Sequence, residues 1–370
     1  MQIAYMSNSV IPSRFANSIH VMKMCQAFAN NGHKVTLYSY AGKEKVKDDY
    51  ENYGVEKCFK IKKSSRFPLY GIGGLIYAIS VIYKIKKQPL PDLLYARHIY
   101  SLAIGALLLG IPMIFEAHSP PINTVRRIVE NWVFNRKNFM HLVVISDALK
   151  QEYQNIFPYL NHKMIMVAHD GADFPSDNGN LPINFFSGDD KRIQIGYVGH
   201  LYPGRGIELI VNLARNLPDI NFHIVGGTEE DIKHWKQIFN EKNLIFHGYV
   251  PHNEVFCYYK YFDIVLAPYQ SKVAVAGSKG DTSKWMSPLK IFEYMAQGKP
   301  IVASDLPVLQ EILHNNINCL LCPSSDVQTW QNAILTLVKS PELRIKLGNV
   351  AYQDFITNYT WQSRAEKVIS

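Results

Sequence analysis

Lys290 and Glu293 stand three residues apart in Ser287-Pro288-Leu289-Lys290-Ile291-Phe292-Glu293-Tyr294-Met295-Ala296, and their types and spacing point to chemistry. The segment reads as a helix running into a buried strand at 301–303. Ser287 is a good N-cap, and Pro288 suits the first helical position. Leu289, Phe292 and Ala296 recur at helical spacing, Gly298 can end the helix, and Pro300 marks entry into the strand. On this reading Lys290 takes the third helical position. A Ser N-cap favours Glu or Gln there, and the helix dipole favours an anion. A local rule broken at a helix start points to a ligand. An anion at that point would meet free backbone N–H groups, the positive dipole end and an ammonium together. Glu293 lies one turn further on the same face; it cannot serve a phosphate, but it can accept paired hydrogen bonds from vicinal hydroxyls such as those of a ribose. The pair therefore predicts a nucleoside diphosphate site. The competing reading is an ordinary amphipathic surface helix, whose i, i+3 Lys–Glu pair contributes about 0.2–0.5 kcal/mol.

The elements that must position these residues repeat one pattern. A strand at 193–198 runs into Gly199-His200-Leu201-Tyr202-Pro203-Gly204-Arg205-Gly206 and a helix from 207. Arg205 falls at that helix mouth, where it can pair with a phosphate. Strands follow at 222–225, 244–246, 264–267 and 319–322, with helices at 327–338 and 341–356. The first half alternates in the same way, with strands at 2–6, 34–38, 93–96, 113–116, 142–145 and 164–167. Between the first two lie a loop, 7–17, and a helix, 18–30. Two of these strands end in polar clusters, Arg97-His98 and Glu116-Ala117-His118, where open α/β sheets place their sites. A lone His is most often structural, but His118 stands between Glu116 and Ser119-Pro120-Pro121 and is a candidate functional group. The expected fold is α/β, with two doubly wound Rossmann-like domains and a ligand site in the cleft between them. The expected boundaries are 1–172 for the first domain, 173–191 for a linker and 192–350 for the second. A C-terminal helix over 351–370 is expected to pack back on the first domain.

Bulk composition narrows the class. The 370 residues are 47% hydrophobic and 19% charged, as in a globular chain of two domains. No run of 18 apolar residues occurs, and the N-terminus enters a strand with no basic, cleavable leader, so a cytoplasmic protein is expected. Five cysteines do not make a disulfide framework, and Cys319-x-x-Cys322 sits in a strand with no second ligand pair, so neither redox nor metal use is expected. The loop after the first strand lacks G-x-G-x-x-G, so no nicotinamide or flavin cofactor is expected. Residues 1–170 hold 21 Lys+Arg against 11 Asp+Glu, and residues 171–370 hold 18 against 20. The excess is concentrated in 55–90 and 125–139. In the former, Lys57, Lys60, Lys62, Lys63 and Arg66 precede an apolar, aromatic stretch closed by Lys84, Lys86 and Lys87; the latter contains Arg126, Arg127, Arg136 and Lys137. The former can lie on an anionic bilayer surface or be a core helix with solvated lysines at its ends; the latter reads as a basic helix over 125–139 that can meet the same surface. No nucleic-acid-binding motif accompanies the charge.

Gly199 with Arg205-Gly206, Gly248-Tyr249-Val250 and the segment from Ser287 to Ala296 resemble the retaining GT-B glycosyltransferases of family 4. Gly32-His33-Lys34-Val35 and Tyr359-Thr360-Trp361 are similar to the same family, and the likeness runs in order over nearly the whole chain. The resemblance implies that Glu293 binds the donor ribose, that Lys290, Arg205 and the backbone at Leu289 hold the diphosphate, and that Tyr249, Val250 and Pro251 lie near the nucleobase. Gly199, His200 and Ser287 belong to the same implied donor set. Asn17 and Ser18 would approach the phosphates, and His118 would stand at the acceptor side of the sugar. The implied catalytic residues are His118, Arg205 and Lys290. Two positions depart from the family pattern: His200 replaces an Arg and carries less charge at neutral pH, and Trp285 replaces a Glu eight residues before Glu293, with Asp281 as a substitute contact. No Asp-x-Asp occurs, which fits a metal-independent enzyme whose cations and helix N-termini neutralise the diphosphate.

The implied reaction moves a hexose, with retention, from a nucleotide-diphosphate sugar, expected to be UDP-linked, to a hydroxyl acceptor. The basic first half suggests a lipid-linked acceptor and a peripheral place on the inner face of the plasma membrane, as in surface polysaccharide or glycolipid assembly. Two alternatives stay open: a GT-B sugar-nucleotide epimerase, and a non-catalytic nucleotide-sugar-binding protein.

Overall fold

Apolar runs too short for helices alternate with amphipathic segments along the chain, and the central runs become parallel strands buried on both faces. The computed structural model describes residues 1–66, 72–161, 163–175, 192–239, 241–275 and 278–370. They form two compact units, Met1–Asp170 with Trp361–Ser370, and Gly171–Thr360.

The first unit contains β1 (Gln2–Ile11), α1 (Ala16–Asn30), β2 (Lys34–Ala41), α2 (Asp49–Asn52), β3 (Lys60–Ser64), α3 (Gly73–Lys86), β4 (Leu93–Ala96), α4 (Ile99–Leu108), β5 (Met113–Ala117), α5 (Thr124–Phe134), β6 (Phe139–Val144), α6 (Asp147–Ile156) and β7 (Ile165–Val167). Its sheet runs β3-β2-β1-β4-β5-β6-β7, parallel throughout. The order reverses between β1 and β4, so the loops after these strands border the switch point where such sheets bind ligands.

The second unit contains β8 (Gln194–Val198), α7 (Ile207–Asn216), β9 (Asn221–Val225), α8 (Glu229–Ile238), β10 (Leu244–Gly248), α9 (His252–Tyr261), β11 (Ile264–Ala267), the short antiparallel pair β12 (Ala274–Val275) and β13 (Ser278–Asp281), α10 (Leu289–Ala296), β14 (Ile301–Ser304), α11 (Pro307–Gln310), β15 (Leu320–Cys322), α12 (Val327–Lys339) and α13 (Pro341–Asn358). Its parallel sheet runs β10-β9-β8-β11-β14-β15, reversing between β8 and β11. Tyr197, Ile210, Phe222, Leu266, Trp330 and Ile334 are among the residues of its core. The last helix, α14 (Trp361–Lys367), belongs to the first unit and packs on α1.

Several expected boundaries move. β1 does not stop at residue 6. Its pairing with β2 shifts after Met6 and resumes at Val10 and Ile11, because the buried Ser7 and Ser9 hydroxyls satisfy each other at 2.8 Å and can lie inside a strand. Asn17 and Ser18 consequently fall in the first turn of α1. The basic helix expected over 125–139 ends at Phe134, and Phe139 already starts β6; Arg136 lies beyond the helix, its guanidinium 3.4 Å from the Trp132 ring centroid. The helix expected over 351–370 is the end of α13 and, after Tyr359-Thr360, α14. Most of the linker expected at 173–191 lies outside the described residues, as do residues 67–71 of the basic-aromatic segment. Among the described residues, no helix is long and apolar enough to cross a membrane.

Candidate active site

In the second unit, β8 delivers the chain to Gly199, whose φ of +145° favours glycine and whose added Cβ would stand 2.8 Å from Lys290 Nζ. Gly206 is left-handed at φ +80°, and a Cβ there would meet the Pro268 carbonyl oxygen at 1.9 Å, so the loop before α7 lies flat against the loop after β11. Gln270 N–H donates to the Gly204 carbonyl at 2.9 Å and ties the two loops together. Tyr197 donates to the His200 carbonyl at 2.7 Å. Tyr294, on α10, accepts from Val198 N–H at 3.0 Å and donates to the Leu266 carbonyl at 3.2 Å, which seats α10 over the ends of β8 and β11.

α10 begins at Leu289, with Pro288 as its extended N-cap, no side-chain cap and no acidic residue in its first turn. This corrects the expected start by one residue: Ser287 precedes the cap, and Lys290 is the second helical residue. The physical reason is that Pro288 adopts φ −79°, ψ 117°, an extended conformation rather than a helical one. Leu289 and Lys290 still present N–H groups that have no partner within the helix.

Lys290 is 8% exposed. Its Nζ lies 3.7 Å from the Tyr197 ring centroid and 5.2 Å from that of Tyr269, and it has no hydrogen-bond partner among the described residues. Arg205 shares the Tyr269 ring, its Cζ 5.4 Å from the centroid, and its buried Nε also lacks a partner. Burial, and then the Arg205 charge, hold the Lys290 amine well below the usual lysine range. His200 stacks on Tyr202 at 4.8 Å, and burial, followed by the nearby Arg205 and Lys290, lowers it to about 4, so it is neutral at pH 7. Two cations with unsatisfied donors, converging at a helix start, are arranged to receive an anion of more than one charge.

One turn along α10, Glu293 accepts from His252 Nε2 at 2.8 Å and from the Tyr259 hydroxyl at 2.6 Å, both on α9. These two bonds orient the carboxylate. Tyr249, Val250 and Pro251 lead directly into α9, whose first residue, His252, bonds to Glu293. Asp281 is committed to its own loop: one carboxylate oxygen accepts from Val273 and Ser283 N–H, each at 2.9 Å. Trp285 is half-buried, two residues before Ser287.

The first unit holds a second cluster. Glu116, at the end of β5, is 1% exposed. Its Oε1 accepts from His118 Nε2 at 2.6 Å and from Arg364 Nη2 at 3.1 Å, and lies 2.8 Å from His20 Nε2; its Oε2 accepts from the Tyr95 hydroxyl. Burial would raise this carboxyl, but Arg364, His20 and the His118 hydrogen bond outweigh it and hold it well below the usual range. Burial, then Arg97, depress His118 to about 3 despite Glu116. Arg126 reaches back to the Ser119 carbonyl at 3.0 Å, and Tyr153 donates to it at 3.2 Å, so the turn after His118 is anchored. His20, Glu116 and His118 bring three ligand-type atoms within 4.8 Å of one another, but Arg364 already supplies a cation to the shared oxygen.

Asn17 and Ser18 are not in this cluster. Ser18 is fully buried, its hydroxyl bonded to the Val10 carbonyl at 2.9 Å and to Ser13 at 2.8 Å, so it shapes the loop from inside. The Asn17 carbonyl accepts from Arg97 at 3.2 Å. Sequence reasoning missed His20, Asp170, Tyr197, His252, Tyr259, Tyr269 and Arg364. The one sequence signal near Arg364 is Tyr359-Thr360-Trp361, whose Trp361 packs edge-on against His20 at 5.2 Å.

Comparison with known proteins bears on the family and the fold. The family described as Glycosyl transferases group 1 matches residues 183–354, and Glycosyltransferase Family 4 matches residues 18–174. The chain is 24% identical to the uncharacterized glycosyltransferase MJ1178 of Methanocaldococcus jannaschii over 348 residues, 89% of this chain and 86% of that one. It is likewise 24% identical to the D-inositol 3-phosphate glycosyltransferase of Corynebacterium glutamicum, over 75% of this chain and 71% of the relative. Among solved structures, Anabaena Alr3699/HepE in complex with UDP is similar with a TM-score of 0.73 at 15% identity, over 100% of this chain and 98% of that chain.

Proposed function

This chain belongs to the GT-B glycosyltransferases of the family 4 type, and we propose that it moves a hexose, with retention and without a metal ion, from a UDP-linked sugar to a hydroxyl acceptor. The observation that carries the reading is the pair of buried donors, Lys290 Nζ and Arg205 Nε, which have no hydrogen-bond partner among the described residues, beside the start of α10. A diphosphate supplies the acceptors that both lack. In the reaction the bond from the anomeric carbon to the diphosphate oxygen breaks, and a bond to the acceptor oxygen forms on the same face. The acceptor's proton passes to the departing phosphate. Negative charge grows on that phosphate, and Arg205, Lys290 and the helix N–H groups stabilise it. Glu293, oriented by His252 and Tyr259, takes the ribose hydroxyls, Tyr249–Pro251 border the base, and His118 serves the acceptor side. The UDP held by the structural relative HepE supports the choice of base.

The acceptor is proposed to be lipid-linked, as in surface polysaccharide or glycolipid assembly, with the first unit resting on an anionic membrane. Ile72, Leu75, Ile79 and Tyr83 form an exposed apolar stripe along α3, opposite its buried Tyr77, Val81, Ile82 and Ile85. Val125 and Ile128 are exposed on α5. Not every cation of the segment is available to a surface. Lys57 pairs with Asp48, Lys63 pairs with Asp49, and Lys84 donates to the Lys63 carbonyl and Ser64.

Thermal unfolding with a panel of nucleoside diphosphates and nucleotide sugars tests the donor site, in wild type and Glu293→Ala. A ligand at about 100 times its dissociation constant adds about 2.7 kcal/mol. A shift confined to uracil nucleotides and largely lost in the variant is expected; no shift with any nucleotide overturns the assignment. Release of nucleoside diphosphate that rises with acceptor extract separates a transferase from an epimerase.

A further inference from the structure

Arg364 is buried in the first unit, 3% exposed, and all three guanidinium nitrogens are engaged. Nε donates to the His169 carbonyl at 2.8 Å, Nη2 to the Ala168 carbonyl and to Glu116 Oε1, each at 3.1 Å, and Nη1 lies 3.2 Å from Met24 Sδ. Asp170 Oδ1 is 4.0 Å from the guanidinium and 2.9 Å from His20 Nδ1. The groups that face Glu116 are therefore His20 from α1, Tyr95 from β4, His118 beyond β5 and Arg364 from α14.

We propose that Arg364 is a positioning residue for His118: by keeping Glu116 ionised it fixes the His118 ring as the Nε2–H tautomer and leaves Nδ1 as a hydrogen-bond acceptor. A carboxylate with both oxygens inside the protein stays charged only when compensated, and Arg364 is the one permanent cation in contact with it among the described residues. An ionised carboxylate only accepts, so at 2.6 Å the His118 Nε2 must be the donor. A neutral ring has one N–H, which leaves a lone pair on Nδ1. That lone pair suits a hydroxyl, which has a proton to give. If Arg364 is lost, the buried Glu116 takes up a proton, donates to Nε2, and inverts the ring. The consequence for catalysis rests on the reading of His118 as an acceptor-side group; the tautomer does not.

Nitrogen-15 spectra of selectively labelled histidines at pH 7 test this, with His118→Gln identifying the signal. The wild type should show His118 protonated on Nε2, and Arg364→Met should show it protonated on Nδ1 while the variant still unfolds cooperatively. Arg364→Lys, which keeps the charge, should retain the wild-type tautomer and most of the activity. With the nucleotide sugar that gives the largest thermal shift, Arg364→Met should lower kcat by about 10²–10³-fold with KM for the donor unchanged. A wild-type ring protonated on Nδ1 overturns the proposal without any variant. So does a folded Arg364→Met with the tautomer unchanged, or an inverted ring in Arg364→Lys should the methionine variant not fold. An inverted ring with unchanged kcat supports the positioning role and instead overturns the role assigned to His118.

Discussion

Replacing Lys290 with Met should raise the stability of the free protein and weaken the proposed hold on a diphosphate. The two effects have opposite signs because a nitrogen buried without a hydrogen-bond partner among the described residues costs stability in the free protein, while on the proposed reading it serves a bound diphosphate. As an ammonium it bears a desolvation penalty of several kcal/mol. The Tyr197 face at 3.7 Å offsets about 2 kcal/mol of that. As a neutral amine it remains an unsatisfied buried group costing about 1–3 kcal/mol. Methionine spans the same space without either cost, so a gain of about 2 kcal/mol follows, roughly 4–8 °C in Tm for a unit of this size. The lost charged hydrogen bond to the ligand is worth about 1.5–3 kcal/mol, a roughly 10–150-fold weaker Kd. The pH sign is fixed as well. The folded amine lies well below the ordinary lysine value of 10.5, so the unfolded chain binds the extra proton between the two. Wild-type stability therefore gains a rising component as pH climbs toward 10.5, and Lys290→Met lacks it. Calorimetric scans of the free proteins, and titrations with UDP, measure both effects. A lower Tm in Lys290→Met, or an undiminished UDP affinity, would refute the account of this site.

Acid should weaken the fold before the carboxylates titrate. Burial holds His98, His200 and His247 at about 4 and His223 at about 3, so the unfolded chain binds more protons below about 6.5 and stability falls as pH drops from there. Urea midpoints at pH 7, 6 and 5 should decline in the wild type and less steeply in His223→Gln; a flat series contradicts the burial of neutral rings. The exposed stripe on α3 predicts co-sedimentation with anionic vesicles that falls at least tenfold when Leu75, Ile79 and Tyr83 are all changed to Ser. Binding that ignores lipid charge sinks the membrane reading.

The repeating strand and helix pattern was legible because each apolar run is short and bounded by Gly, Pro or a polar cluster. Lys290 was legible as a residue in the wrong place for a helix start, and that reasoning survives the one-residue move of the cap, since the dipole argument spans the first turn. What the sequence hid depends on long-range contact. Glu116 and Arg364 are 248 positions apart, and no local rule links them. Tyr197 reads as one more strand residue and Tyr269 as a turn aromatic, yet together they form the face on which Lys290 rests. The serines of β1 were misread as loop because their hydroxyls pair with each other, which a count of polar residues does not reveal.

The return of α14 to the first unit has a consequence for the order in which the molecule is made. Residues 1–170 leave the ribosome first, but the guanidinium that balances Glu116 arrives about 190 residues later. At ordinary elongation rates that delay is roughly 10–40 s. Until then the nascent first unit holds a buried acid with no permanent countercharge, and the groove on α1 that α14 fills stays open. The His118 centre is thus completed only after the second unit has been made, and a chain cut short before Trp361 would keep Arg205, Lys290 and Glu293 but lose the residue proposed to position that histidine.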